Sequence, residues 1–491
     1  MLYTKNKILI LMSSVFIVIG ICLLYPLIIG RSHTSEKESQ SLFMKEKCSL
    51  YTPEHVKKLV HEYMNNGLGV GAALAIIDHG VTTFYTFGNR SVDSDEKITE
   101  DDIFEIGSIT KVFTTITLLA LVDQGLVCLD DPIDVYLPPT VKTPQRNGKK
   151  ITLRQLAMHT SGLPRLPNNL HPKNIENPYA DYTVQRLYEF LNSYELTRDP
   201  GSAEEYSNLG MGLLGHILSL VSGISYEELI KKTICKPLGM DATVIHLTPA
   251  MKKRFIPGHC ALKRVSAWDG GVLEGAGFLR STIKDMSKFL AANMGLGQSS
   301  LIKICSLSHE PQAGAANKGM HGFGWSILKT DSCHTIIWHN GETGGFHSSI
   351  AFDVQRQYGF VLLTNSTDQF PSKLINRLFD SEHEDHSGVG NVKNDACNSP
   401  EYLQQFTGTF VFTGTQLKDL AFPREITCVM HKKMLVAVGI AQLIPVTEGR
   451  FNFNNVPSEY GVHFVIDEHH KIIAMECLEP GRTFMFKKAR A

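Results

Sequence analysis

Serine followed three residues later by lysine occurs at Ser94/Lys97, Ser108/Lys111, Ser281/Lys284, Ser300/Lys303 and Ser326/Lys329. On one helical turn this spacing lets an ammonium or amine reach a hydroxyl and lower the cost of deprotonating it. Ser108/Lys111 stands apart by its setting. It opens an apolar stretch, with Val112, Phe113, Ile116, Leu119, Ala120 and Val122, that predicts a buried helix ending near Asp123-Gln124-Gly125. A serine at a helix start gains from the positive end of the dipole, and its backbone N–H can point at a developing oxyanion. Ser94 sits in a charged turn, and Ser326 in an expected strand, where residues three apart face opposite ways. The chemistry this pairing suits is attack by Ser108 on a carbonyl, with Lys111 holding its proton or stabilising its alkoxide.

Two later triplets join it. Tyr206-Ser207-Asn208 is a Y-x-N element and His339-Asn340-Gly341 an H-x-G element, followed by Glu342-Thr343-Gly344-Gly345. Tyr63-Met64-Asn65 and His386-Ser387-Gly388 repeat these spacings, but out of order or in a polar linker. In the order Ser-Lys, Tyr-Asn, His-Gly, the set resembles the active-site serine penicillin-recognising hydrolases. The nearest branch contains class C β-lactamases, D-alanyl-D-alanine peptidases and related esterases. Better-known members carry S-x-x-K with S-D-N and K-T-G. Ile151 to Pro164 (ITLRQLAMHTSGLP) and Gly275 to Thr282 (GAGFLRST) are similar to further segments of that family. The likeness runs over about residues 50 to 380.

The resemblance implies a role for each residue. Ser108 is the expected nucleophile and Lys111 its partner. Tyr206 is expected to shuttle the proton, as base in acylation and acid toward the leaving group. An ordinary phenol has a pKa near ~10, so the expectation requires cations such as Lys111 to favour phenolate or concerted transfer. Asn208 is expected to orient substrate and Lys111, its alternative being a helix N-cap. His339 is expected to bind a substrate carboxylate or orient Tyr206, and to bring a pH dependence near neutrality. Gly341 is expected to let its strand approach the substrate, and the Ser108 and Glu342 N–H groups to form an oxyanion hole. No residue set suggests a metal, nucleotide or other cofactor.

The elements that must hold these residues follow from pattern. Gly71 to Ile77 and Val81 to Phe87 read as strands around Asp78-His79-Gly80, and Thr52-Pro53-Glu54 as a helix start. Helical patterns dominate from about 140 to 300. Strand signals return at Gly322 to Leu328, Thr335 to His339, Ser348 to Asp353 and Phe360 to Thr364. The fold class expected is α/β (α+β): an antiparallel sheet flanked by helices, with a helical subdomain and the site between them. After a linker at 381–400, residues 401–491 read as an all-β, barrel-like domain. Its strands are expected at Gly408 to Phe412, Glu425 to His431, Met434 to Val438, Val462 to Ile466, Ile472 to Cys477 and Thr483 to Phe486. It resembles the lipocalin-like domain that follows many members of the family, with a ligand-binding or a packing role open.

The 491 residues leave room for more than one domain, and a net charge of −1 gives no electrostatic footprint for nucleic acid. Ile8 to Gly30 is uncharged and long enough to span a bilayer, with Lys5 and Lys7 before it. Residues 1–31 are therefore expected to be a signal anchor, 32–50 a stalk and 51–380 the exported hydrolase domain, with a cleaved signal peptide as the alternative. A bacterial periplasm or envelope fits, as does an endomembrane lumen. The ten cysteines show no paired framework and read mostly as isolated buried thiols. The function expected is a membrane-anchored serine hydrolase, foremost a D-alanyl-D-alanine peptidase. The alternatives are a class C-like β-lactamase, a small-ester or lactone esterase, and, outside enzymes, a ligand-binding scaffold. Its partners would be a peptide, β-lactam or ester substrate and, through the anchor, the membrane.

Overall fold

Three strand sequences are buried along their length: Gly71–Asp78 (β1), His347–Asp353 (β7) and Tyr358–Thr364 (β8). Strands this apolar belong in the middle of a sheet covered on both faces. The computed structural model describes residues 52–312, 320–329, 334–367, 370–371, 374–375 and, with short breaks, 399–489. The expected anchor and stalk, most of the linker and His386-Ser387-Gly388 lie outside the described residues. No single helix among the described residues is long and apolar enough to cross a membrane.

The main sheet has eight antiparallel strands in the order β4-β5-β6-β7-β8-β1-β2-β3. The remaining five are Val81–Ser91 (β2), Ser94–Lys97 (β3), Met320–His321 (β4), Ser326–Lys329 (β5) and Thr335–Glu342 (β6). Strands from both ends of the domain meet at its centre, where β1 pairs with β8 in the register Ala75↔Val361. The helix Ile283–Asn293 packs on β1 and β8, its start capped by Thr282. Between the two halves of the sheet the chain builds a helical region. It includes Thr110–Asp123, buried along most of its length, and Asn208–Ser222, closed by Gly223 in the left-handed conformation. The helix-flanked antiparallel sheet and helical region match the expected fold class.

Residues 408–488 close into an eight-stranded antiparallel barrel, as the lipocalin-like resemblance implied. Six of its strands fall where pattern placed them. Ala441–Thr447 and Arg450–Phe453 were not expected. Pro445, which cannot donate to a ladder, hid the first of them, and it sits where the register with Arg450–Phe453 shifts. Phe406, Phe410, Leu435, Phe451, Phe464, Met475 and Phe486 fill the barrel interior, with the Phe406 ring 4.9 Å from those of Phe451 and Phe464. The barrel meets the hydrolase domain through Gly439 N–H, which donates to Ala261 O at 3.0 Å, and Lys432 Nζ, which donates to Met64 O at 2.5 Å. Among the described cysteines, Cys235, Cys305, Cys428 and Cys477 are buried free thiols, while Cys128 is exposed.

Candidate active site

The nucleophile turn is built by backbone geometry before any side chain acts. Ile103–Glu105 pairs with Arg280–Thr282, and Ile106 N–H continues the contact to Leu279 O at 3.0 Å. The chain then reverses at Gly107, φ +51°, into a 3-10 turn over Gly107–Ile109 that feeds the helix Thr110–Asp123. A side chain at Gly107 would place Cβ 2.5 Å from Glu342 N, and one at Gly341 would place it 2.0 Å from Ile106 O and 2.9 Å from Ser108 N. Two glycines thus let β6 press against the nucleophile turn and gather the Ser108 and Glu342 amides into one small region. Gly341 was expected to let its strand approach the substrate; in the structure it lets the strand approach this turn. The Glu342 side chain is exposed.

Ser108 is half-buried, while Lys111 is completely buried. Lys111 Nζ donates to Ser108 Oγ at 2.9 Å and also to Ala276 O. The segment Gly275 to Thr282 explains its place in the motif set here. Gly275 O accepts from Thr114 Oγ1 at 2.8 Å and Leu279 N–H donates to Thr110 Oγ1 at 3.1 Å, so the segment wraps the start of the helix and aims a carbonyl at the lysine. The other four pairs separate. Lys97 goes to Asn89 at 2.8 Å, Lys284 to Asp101 at 3.1 Å and Lys303 to Asp123 at 3.5 Å, and Ser326 lies in a strand.

Tyr206 sits just before the helix Asn208–Ser222. Ser207, not Asn208, is that helix's cap, its Oγ accepting from Gly210 N–H at 2.8 Å and donating to Pro164 O at 2.6 Å. Asn208 was expected to orient substrate and Lys111, and no bond to Lys111 is made. Instead its Nδ2 donates to Tyr179 OH at 3.4 Å, and its Oδ1 is buried with no hydrogen-bond partner among the described residues. The Tyr206 ring lies 4.7 Å from Lys111 Nζ, 5.2 Å from Arg165 Cζ and 4.5 Å from the His159 ring. His339 is on β6, with Nδ1 2.6 Å from Asn340 O, which leaves Nε2 as the acceptor of the neutral ring. With His159, Glu204, Tyr206, His321 and Trp325 it lines a small cavity of about 70 Å³.

Burial sets the charges here. It pushes Lys111 well below the ordinary lysine range, and the Arg165 guanidinium pushes the same way. It raises Tyr206 to about 12, against the opposing pull of the Ser108 hydroxyl and Arg165. Burial thus works against the phenolate branch of that expectation and leaves concerted transfer, while the shift on Lys111 favours its neutral amine. Burial, then Lys111, lowers His339, a half-buried residue, to about 4, which runs against the expected pH response near neutrality. His159 falls to about 3, mainly by burial, and its Nδ1 accepts from Ser207 N–H at 3.1 Å.

His159, Arg165, Tyr179 and Trp268 were not singled out by sequence reasoning. The first two lie in or directly after the segment ending at Pro164, which was the one available signal. Tyr179 packs its ring 5.6 Å from that of Trp268, forming an aromatic wall beside Asn208.

This constellation suits acyl transfer, and comparison with known proteins agrees. The Beta-lactamase family profile matches residues 56–383. The chain belongs to the Beta-lactamase family. Members of this family are serine hydrolases, and so is this chain. It is 29% identical over 334 residues to the D-alanyl-D-alanine-carboxypeptidase/endopeptidase AmpH of Escherichia coli K12, across 64% of this chain and 85% of that protein. A "Beta-lactamase" of the same strain is 25% identical over 374 residues, across 68% and 95%. Among solved structures, a β-lactamase/D-alanine carboxypeptidase from Yersinia pestis complexed with citrate superposes with a TM-score of 0.57 at 26% identity, covering 69% of this chain and 98% of that one. One from Pseudomonas syringae, at 22% identity and a TM-score of 0.58 over 67% and 98%, shares the fold.

Proposed function

We propose that this family member is a D-alanyl-D-alanine peptidase working through an acyl-enzyme on Ser108. The observation that carries the reading is the buried Lys111 amine at 2.9 Å from the hydroxyl of half-buried Ser108, with Tyr206 beside both. Ser108 attacks the carbonyl carbon as its proton passes to Lys111, and the oxyanion is met by the Ser108 and Glu342 N–H groups. Tyr206 gives its proton to the leaving amine and recovers one from Lys111, so the serine's proton ends on the leaving group. Water then repeats the sequence on the ester and frees Ser108. In this assignment Asn208 and His339 position the substrate, and Gly341 keeps the oxyanion amides together. The similarity to AmpH favours peptide over simple ester substrates.

The proposal extends to location. Ile8 to Gly30 would anchor the chain with its hydrolase domain on the exported side, in a bacterial envelope. Protease protection of the full chain in sealed vesicles tests that topology.

Intact-mass spectrometry with benzylpenicillin and a fluorophosphonate tests the chemistry. Fluorophosphonate labelling lost in Ser108→Ala, with turnover down about 10³-fold or more, is expected. A long-lived penicillin adduct on Ser108 supports the peptidase. Rapid drug loss without an adduct supports the β-lactamase reading instead. Equal labelling of Ser108→Ala would remove the nucleophile assignment.

A further inference from the structure

A cavity of about 590 Å³ lies where the hydrolase domain meets the barrel, and none of its lining residues belongs to the Ser108 site. The end of the helix Pro53–Asn66, β2 and the turn at Leu262 wall it on the hydrolase side, and His431 and Lys432 on the barrel side. Met64 and Val70 are its buried lining, while His61, Thr86 and Val92 are exposed at its rim. The volume falls within the range of small-molecule pockets, which likewise combine apolar walls with a few polar groups. The barrel interior holds Phe406 against Phe451 and Phe464, so a ligand has room at this margin rather than inside.

Two hairpin turns, one from each domain, contribute to the wall. Cys260 pairs with Lys263 and His431 with Met434, so each turn has two central residues. All four are left-handed: Ala261 at φ +42°, Leu262 at +69°, Lys432 at +46° and Lys433 at +68°. Asn and Gly make such turns at less cost. Here both turns carry larger side chains instead, and Leu262 and Lys432 line the cavity. Lys432 Nζ donates to Met64 O at 2.5 Å and to Gly67 O at 3.4 Å, which leaves one of its three protons. Among the described residues Lys432 pairs with no carboxylate, no Asp or Glu lines the cavity, and Lys432 is its sole Lys or Arg. His431 adds a ring whose Nε2 is buried with no hydrogen-bond partner among the described residues.

We infer that this cavity is a binding site for a small amphipathic carboxylate, its apolar body against Met64, Val70, Phe87 and Leu262 and its head on the remaining Lys432 proton. The site is independent of the acyl-enzyme reading of Ser108 and stands or falls without it. A cationic ligand would meet an ammonium with no acid to offset it, and a neutral one would forgo the charge-assisted bond. Because residues of both domains line the cavity, a bound ligand also fastens the barrel to the hydrolase domain.

The test is isothermal titration calorimetry of the full chain in lipid nanodiscs, with empty discs as the blank. The probe is biphenylbutanoate, compared with the alcohol and the primary amine of the same skeleton. Wild type, Lys432→Gln and Thr86→Trp are titrated, and each variant's Tm reports that it is folded. The acid should bind wild type about 10-fold or more tighter than the alcohol, with the amine weaker still, as a charge-assisted hydrogen bond allows. Lys432→Gln should erase the preference for acid over alcohol and leave the alcohol's affinity in place. Thr86→Trp, whose bulk is added at the exposed rim, should weaken acid and alcohol alike by about 10-fold or more. An absence of binding, equal affinity for acid and amine, or affinities unchanged in Thr86→Trp overturns the inference. Acid binding that disappears once Ser108 is blocked by fluorophosphonate puts the probe in the catalytic site and overturns it too.

Discussion

His159 and His339 show how burial can fix a charge state that the residue type leaves open. Both are neutral in the fold, with pKa values near 3 and near 4, while an unfolded histidine titrates near ~6.5. Below about 6.5 the unfolded chain binds protons that the fold does not, so stability is complete above that pH and falls as pH drops toward 4 and 3. Urea midpoints measured from pH 7 to 4 should decline, and His159→Gln should flatten part of the decline; a level midpoint to pH 4 would refute the assignment. By the same token, kcat/KM should show no inflection near 6.5 from His339, which a pH–rate profile checks. The Ser108/Lys111 pairing was legible because a helix converts a spacing of three into contact. The charges were not, because they depend on burial by segments distant in sequence. Arg165 went unread for the same reason: its proximity to Tyr206 arises from the turn that docks Pro164 on Ser207.

At the scale of elements, the contact between β6 and the nucleophile turn is the tightest requirement in the site. Gly341→Ala would drive a methyl into Ile106 O at 2.0 Å, where only backbone could give way. Overpacking of this kind costs about 1–3 kcal/mol, and here the strain falls on the amides of Ser108 and Glu342. The expected result is a folded protein, lower in Tm, whose fluorophosphonate labelling rate drops about 10²-fold or more, as for loss of an oxyanion donor. A variant with wild-type labelling would show that the oxyanion region does not depend on this packing. Element identity was largely readable: strand alternation and apolar runs placed the main sheet, and the helix after Ser108 ended at Asp123 where expected. Helix caps and proline-bearing strands were less so. Ser207 and Asn208 are both good cap residues, and only the observed bond to Gly210 N–H decides between them.

Taken as a whole molecule, the chain joins a hydrolase domain with a deep core to a barrel whose interior is filled by its own aromatic rings. Phe406→Ala should cost the barrel about 3–5 kcal/mol by opening a cavity among Phe410, Phe451 and Phe464. Because Ser108 sits in the other domain, differential scanning calorimetry should show an early transition while Ser108 labelling at low temperature persists. A single unshifted transition would refute that account of the barrel core. The barrel architecture was readable from turn spacing and short strands, but its closure was not, since closure depends on Gly408–Phe412 finding Arg482–Lys488 across the whole domain. That closure also bears on how copies of the protein meet. A closed barrel has no strand edge, and the main sheet ends at one side in the two-residue β4 and at the other in β3, whose sequence is Ser-Asp-Glu-Lys. Short, charged margins are poor templates for a neighbour's backbone. Crowded together, these molecules would resist fusing into shared sheets through their described strands, and contact there would fall to side chains.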